Sequence, residues 1–259
     1  MKSFFFIVVT ALFCLVNLNA QDVASYQKQV FEMDNGAMPY RILLPKDFDE
    51  QKQYPLILVL HGSGERGNDN ESQLVHGSSL FLKDEVRENY PAIVVFPQCK
   101  ANSSWAKVGY GGQLANREFT FYKKAKPTAD MLLLEGLIKH LKEKYNINKD
   151  QMYVGGLSMG GMGTFELVRR NPRMFIAAFP ICGGANPVIA NKIKKTHWWV
   201  FHGDADEAVP PIYSTQMVNA LQKVSSDVTY SLYPNVGHNS WDNAFAEAEL
   251  LPWLFSISK

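Results

Sequence analysis

The stretch "VGGLSMGGMG", Val154 to Gly163, sets five glycines around a single serine. A serine hydroxyl becomes a useful nucleophile only when a base takes its proton, and that base needs a third group to orient it. Gly156, Leu157, Ser158, Met159 and Gly160 spell G-x-S-x-G between a strand-like run, "QMYVGG", and a helix-like one, "MGGMGTFELVRR". A sharp turn at this junction strains the serine and lifts its hydroxyl above a sheet, and the flanking glycines let strand and helix crowd together. Ser158 is therefore the expected nucleophile.

On such a turn the acid and then the histidine follow the serine along the chain. The downstream histidines are His197, His202 and His238. His197 precedes the strand-like "WWVF" and is expected at the wrong end of the sheet. His202 closes that run and is read as structural, satisfied by loop backbone. His238, in "PNVGHNSW" beyond the last strand-like run, can hang over the serine and is the expected base. The acid must come from "HGDADEAVP", which offers Asp204, Asp206 and Glu207. Asp206 reaches further toward the His238 loop and is the expected acid, with Asp204 bracing its own turn. An oxyanion forming beside Ser158 needs two fixed donors. The N–H of Met159 and that of Ser63, in "HGSGERG", are the candidates. No CxxC, HExxH or paired-histidine spacing occurs, so no metal is expected.

These residues must be positioned by a larger frame. "YPLILVLHG", "YPAIVVFPQ", "QMYVGG", "FIAAFPICGG", "HWWVFHGD" and "VTYSLYP" are short apolar runs closing in glycine, proline or a polar loop, as strands buried on both faces do. A hairpin is expected before them, Gln29 to Met33 and Pro39 to Leu44 around "DNG". Helical periods lie between the runs. "TADMLLLEGLIKHLKEKYN" places Met131, Leu134, Ile138, Leu141 and Tyr145 on one face with Thr128 as cap. "MGTFELVRRNP" is a second helix, "STQMVNALQKV" a third with Ser214 as cap, and "AFAEAELLPWLFS" a closing one. Alternating strands and helices mean an α/β chain with a mostly parallel sheet and helices on both faces. A long loop insertion is expected around residues 99–126.

The 259 residues are 46% hydrophobic and carry a net charge of +1, which suits one domain and argues against a nucleic-acid partner. The start of the chain differs. Lys2, an apolar run from Phe4 to Val16 and "NLNA" before Gln21 follow the order of a secretory signal, residues 1–20, leaving residues 21–259 as a single secreted or periplasmic domain. The run is short for a membrane span, and bulky Phe13 before Cys14 argues against a lipid anchor. Cys99 and Cys182 are too few for a disulfide framework, although a bridge between the two stays open.

"LHGSGERG", "GLSMGGMG", "HGDADEAVP" and "VGHNSW", in this order and across most of the mature chain, resemble the α/β-hydrolase superfamily and, within it, secreted bacterial esterases of the phospholipase/carboxylesterase and feruloyl-esterase-like group. The resemblance implies an α/β-hydrolase fold with a sheet of about eight strands, no cofactor, and Ser158, Asp206 and His238 as nucleophile, acid and base. The expected reaction is hydrolysis of a carboxylic ester, with a serine peptidase of prolyl-oligopeptidase type as the alternative and a non-catalytic binding protein on the same scaffold as a third reading. Trp105 and Trp241 are the expected substrate-binding rings, because aromatic faces suit planar acyl groups and the apolar faces of sugars. The expected substrate is a small-molecule or oligosaccharide ester, with hydroxycinnamoyl and acetyl groups leading. Mass spectrometry of the protein made in its native host should find Gln21 at the N-terminus; retention of Met1 in a cytosolic fraction would remove the export reading.

Overall fold

Every one of the six apolar runs forms a strand: the pleat sends alternate residues to opposite faces, and both faces are covered in the first five, whereas the last, Val228–Tyr233, is partly exposed at the sheet edge. The computed structural model describes residues 23–34, 36–112 and 117–257. The expected export segment and its cleavage point before Gln21 lie outside the described residues. The strands are β1 (Gln27–Met33), β2 (Gly36–Leu43), β3 (Tyr54–Leu60), β4 (Ile93–Pro97), β5 (Val108–Gly111), β6 (Glu118–Phe121), β7 (Ile147–Leu157), β8 (Ala177–Ile181), β9 (His197–Gly203) and β10 (Val228–Tyr233). The helices are α1 (Asp84–Asn89), α2 (Ala129–Lys144), α3 (Met159–Arg170), α4 (Ala190–Ile193), α5 (Ile212–Lys223), α6 (Trp241–Ala246) and α7 (Leu250–Ser256).

Eight strands share one sheet in the order β1-β2-β4-β3-β7-β8-β9-β10. The β1–β2 hairpin and the β2–β4 contact are antiparallel, and every other pairing is parallel. Leu56, Leu58 and Leu60 of β3 enter one core with Met131 and Leu134 of α2, Phe165 of α3 and Met217 of α5. Ile57 and Val59, one residue out of step, enter the other with Val86 of α1, Phe245 of α6 and Leu254 of α7. The sheet is thus sandwiched between helical layers.

Helix α2 begins as expected, with Thr128 Oγ1 accepting the Met131 N–H at 3.1 Å. Three expectations need correction. Helix α5 starts at Ile212, after Pro211, so Ser214 does not cap it but lies buried inside it. The closing helical segment is two helices, α6 and α7, rather than one. The long segment 99–126 is not all loop: β5 and β6 pair in register, Val108 with Phe121 and Gly111 with Glu118, as a separate two-stranded ribbon. Among the described residues no helix is long and apolar enough to cross a membrane.

The tightest point of the frame lies where β7 turns into α3. A Cβ on Gly160 would stand 1.9 Å from the carbonyl oxygen of Leu60, a backbone atom that cannot swing aside. Gly160→Ala should therefore cost roughly 1–3 kcal/mol or more through overpacking, whereas a Cβ on Gly64 meets nothing within 4 Å. Thermal melts of the two variants should show a clear loss for the first and almost none for the second.

Candidate active site

Ser158 is the single residue between β7 and α3, and its backbone sits at φ 54°, ψ −115°. A positive φ is costly for a residue with a Cβ. The turn is held by the Ser158 N–H, which donates to the Ile181 carbonyl at 2.9 Å, and by the Met162 N–H, which donates back to Ser158 O at 3.0 Å and starts the helix. The side chain is thereby lifted off the carboxyl end of the sheet, where the loops after β9 and β10 also emerge.

His238 Nε2 lies 2.9 Å from Ser158 Oγ, and His238 Nδ1 lies 2.7 Å from Asp206 Oδ2. An ionised carboxylate can only accept, so Nδ1 carries the ring proton and Nε2 presents a lone pair to the serine O–H. Asp206 is buried, and its other oxygen accepts the N–H groups of Ala208 and Val209, each at 2.9 Å. Burial alone would raise its pKa. The hydrogen bonds from His202, His238 and Val209 outweigh it and hold the carboxyl well below the usual carboxylate range.

Asp204 faces elsewhere. Its Oδ1 accepts the Asn235 N–H at 2.6 Å, the Asp204 N–H donates to Tyr233 O, and the Ala205 N–H donates to Val236 O. These bonds fasten the acid-bearing loop to the histidine-bearing loop. His197 lies at the amino end of β9, with Nδ1 2.7 Å from Asp227 Oδ2.

The loop after β3 is fixed just as closely. The Cys99 N–H donates to His61 Nε2 at 2.9 Å, so the His61 proton is on Nδ1 and donates to the Gly62 carbonyl at 2.6 Å. A trans peptide sets its C=O and the following N–H in opposite directions. With the Gly62 carbonyl turned to the buried His61 ring, the Ser63 N–H must point outward, and Arg66 Nε–H donates to Ser63 O at 2.8 Å on the far side. Gly62 lies against Leu157, which places this loop beside Ser158. Met159 N–H is in the first turn of α3, among the donors that a helix leaves unpaired.

The two tryptophans part company. Trp105 is 0% exposed, its indole N–H donates to His61 O at 3.0 Å, and its Cβ lies against Gly163. The expectation that it contacts substrate is corrected: the ring braces the β3 loop from below. Trp241 is half-buried, with its ring 5.3 Å from that of His238 and 4.9 Å from that of His76. His76 Nε2 in turn lies 3.7 Å from Glu65 Oε1. Sequence reasoning did not single out His61, Glu65 or His76. The dipeptide His-Gly ending two buried runs, "LHG" and "FHG", is the signal for His61 and His202.

Cys99 and Cys182 are both buried and free, so no bridge joins them. Cys182, Asp206 and His238 offer ligand atoms within 4.8 Å of one another, a grouping with metal-ligand character among the described residues. Two of the three already bond to each other, and burial together with the Asp206 charge pushes the Cys182 thiol well above its usual range, so it keeps its proton.

A family model described as "Esterase" matches residues 32–241. A solved structure described as a thermostable esterase is 33% identical, with a TM-score of 0.82 over 92% of this chain and 64% of that one. The "Bifunctional acetylxylan esterase/xylanase XynS20E" of Neocallimastix patriciarum is 28% identical over 142 residues, 54% of this chain and 17% of the relative. The "Probable feruloyl esterase C" of Aspergillus oryzae is 24% identical over 78% of this chain and 67% of the relative. The chain thus spans less than two thirds of the first two of these proteins.

Burial lowers the His61 pKa from 6.5 to about 4. Between these values the unfolded chain binds the proton that the folded chain refuses, so stability is complete above pH 6.5 and falls as pH drops toward about 4. Melting curves across this range should show that decline in the wild type and lose the corresponding component in His61→Gln. An identical pH dependence in both would mean that His61 does not titrate as its surroundings require.

Proposed function

The chain belongs to the Esterase family, and from that premise we propose that it is an exported serine carboxylesterase acting through Ser158, His238 and Asp206. The observation that carries this reading is the unbroken hydrogen-bond series from Ser158 Oγ through His238 to a buried carboxylate, at 2.9 and 2.7 Å. Ser158 Oγ attacks the ester carbonyl as its proton passes to His238 Nε2. The oxygen that gains the negative charge is received by the N–H groups of Met159 and Ser63. Collapse of the tetrahedral intermediate breaks the bond to the alcohol, which leaves with the proton from His238 Nε2. Water then gives its proton to the same nitrogen, attacks the acyl-serine and releases the acid, returning the proton to Ser158. Asp206 holds the imidazole in the tautomer that both halves need.

We assign the substrate to acyl esters of polysaccharides or their fragments, with hydroxycinnamoyl and acetyl groups foremost. Two of the relatives bear acetylxylan esterase and feruloyl esterase names, and the surroundings of His238 agree. The alcohol must receive its proton beside that ring, where the neighbours are the half-buried Trp241, then His76 and Glu65. An aromatic face followed by polar side chains suits a sugar better than a lipid tail.

A panel of p-nitrophenyl acetate, methyl ferulate, acetylated xylo-oligosaccharide and a proline-containing peptide amide tests the reading. Ser158→Ala should remove ester turnover, and Asp206→Asn should cut it by roughly a thousandfold or more. Asp204→Asn should instead lower the melting temperature, because it loosens the Asn235 contact and leaves His238 paired. Trp241→Ala should cost about tenfold in kcat/KM on methyl ferulate and less on p-nitrophenyl acetate. Faster turnover of the peptide amide than of any ester would move the reading to a peptidase, and full activity in Ser158→Ala would end it.

A further inference from the structure

Two histidines grip the same oxygen of Asp206, and only one of them faces Ser158. His202 closes β9 and is 0% exposed. Its Nε2 stands 2.9 Å from the Val209 carbonyl oxygen and 3.2 Å from Asp206 Oδ2, the oxygen that also takes the His238 Nδ1–H at 2.7 Å. Both partners of that nitrogen can only accept, so Nε2 must carry a proton and share it between them. On the other side of the ring, Nδ1 meets Ser214 Oγ at 2.7 Å, and Ser214 Oγ lies 2.9 Å from the Gly183 carbonyl. The ring is therefore fixed from α5 as well as from the loop after β9. Val209 closes the arrangement, its N–H on Asp206 Oδ1 and its C=O on His202 Nε2.

We propose that His202 is a positioning residue for the acid of the triad: its Nε2–H, on the same oxygen as that of His238, sets where Asp206 Oδ2 lies and how much of its charge His238 feels. The inference rests on the reading of Asp206 and His238 as acid and base. Oδ1 is anchored by the N–H groups of its own loop, so the angle of the carboxylate is set at Oδ2, which the His238 and His202 N–H groups share. That donor also spreads the negative charge. An uncompensated carboxylate favours a cation beside it more strongly than a compensated one does, and a pH–rate profile reads that difference on its acid limb. The other titratable groups near this carboxylate and ring do not supply that donor by another route. The Cys182 thiol, just after β8, lies within the same 4.8 Å cluster but offers only a weak S–H donor, and Asp204 is turned to the Asn235 N–H. Beyond His238 stands Trp241, with His76 and Glu65 behind it.

The test is the pH dependence of kcat and kcat/KM on p-nitrophenyl acetate for wild type, His202→Phe and His202→Gln. His202→Phe should lower kcat about tenfold with little change in KM, and shift the acid limb of kcat/KM upward by about half a pH unit or more. His202→Gln, whose amide N–H can stand near the lost Nε2–H, should recover most of both. Loss of melting temperature in both variants with the acid limb unmoved would make His202 a packing residue and overturn the proposal. If His202→Phe does not fold, nitrogen-15 shifts of the wild-type histidines decide: Nε2 of His202 should show the shift of a protonated nitrogen, as its two acceptors require, and an unprotonated Nε2 overturns the proposal. Ser158→Ala separates the two levels. Retained activity there defeats the triad itself, whereas an inactive Ser158→Ala with an unmoved limb in His202→Phe defeats only the role of His202.

Discussion

A side-chain-bearing residue held at φ 54° is the constraint on which the rest of the site depends. Such a conformation costs on the order of 1–3 kcal/mol and persists only where its surroundings over-determine it. Here they do so from two directions. β8 takes the Ser158 N–H through Ile181 O, and Gly160 lies so close to Leu60 that only a hydrogen fits on its Cα. The strained turn and the centre of the sheet are one packing unit. Because β3, β7, β8, β9 and β10 run parallel, the loops leaving their carboxyl ends all emerge on the side where Ser158 stands.

The carboxylates of Asp204 and Asp206, two residues apart, have different tasks because different donors reach them. Asp204 takes a backbone N–H from the histidine loop and so sets the distance between the two loops. Asp206 is turned inward, where burial opposes its charge, and the charge survives because backbone N–H groups and two imidazoles surround it. A buried charge is tolerable when its hydrogen bonds are complete. The carboxylate is thus held from several sides, and Trp241, His76 and Glu65 follow one another away from His238.

The β3 loop shows the same logic without any charge. His61 and Trp105 act together from beneath: the imidazole turns one peptide, the indole holds the carbonyl that precedes it, and Cys99 fixes the tautomer. The direction of the Gly62–Ser63 peptide is thus set by buried groups.

Much of the frame was legible in the linear chain, since continuous apolar runs between glycine and proline report burial on two faces, and a 3.6-residue period reports one. Ser158 could be located because strand, turn and helix are set by short-range sterics that its neighbours display. Ser214 was misread for a related reason: a serine ahead of an apolar period looks like a cap, but Pro211 lets the helix begin earlier and carries Ser214 inside to His202. The ribbon β5–β6 left only a weak alternation in a glycine-rich segment. Trp105 looked like a substrate ring because its sequence surroundings are loop-like, yet its partner His61 is 44 residues away. Cys99 likewise takes its role from a group on another loop, 38 residues away. Local sterics and periodicity are written in adjacent residues and can be read there. Burial and the direction of a hydrogen bond depend on which distant loops meet, and only the packed sheet brings those together.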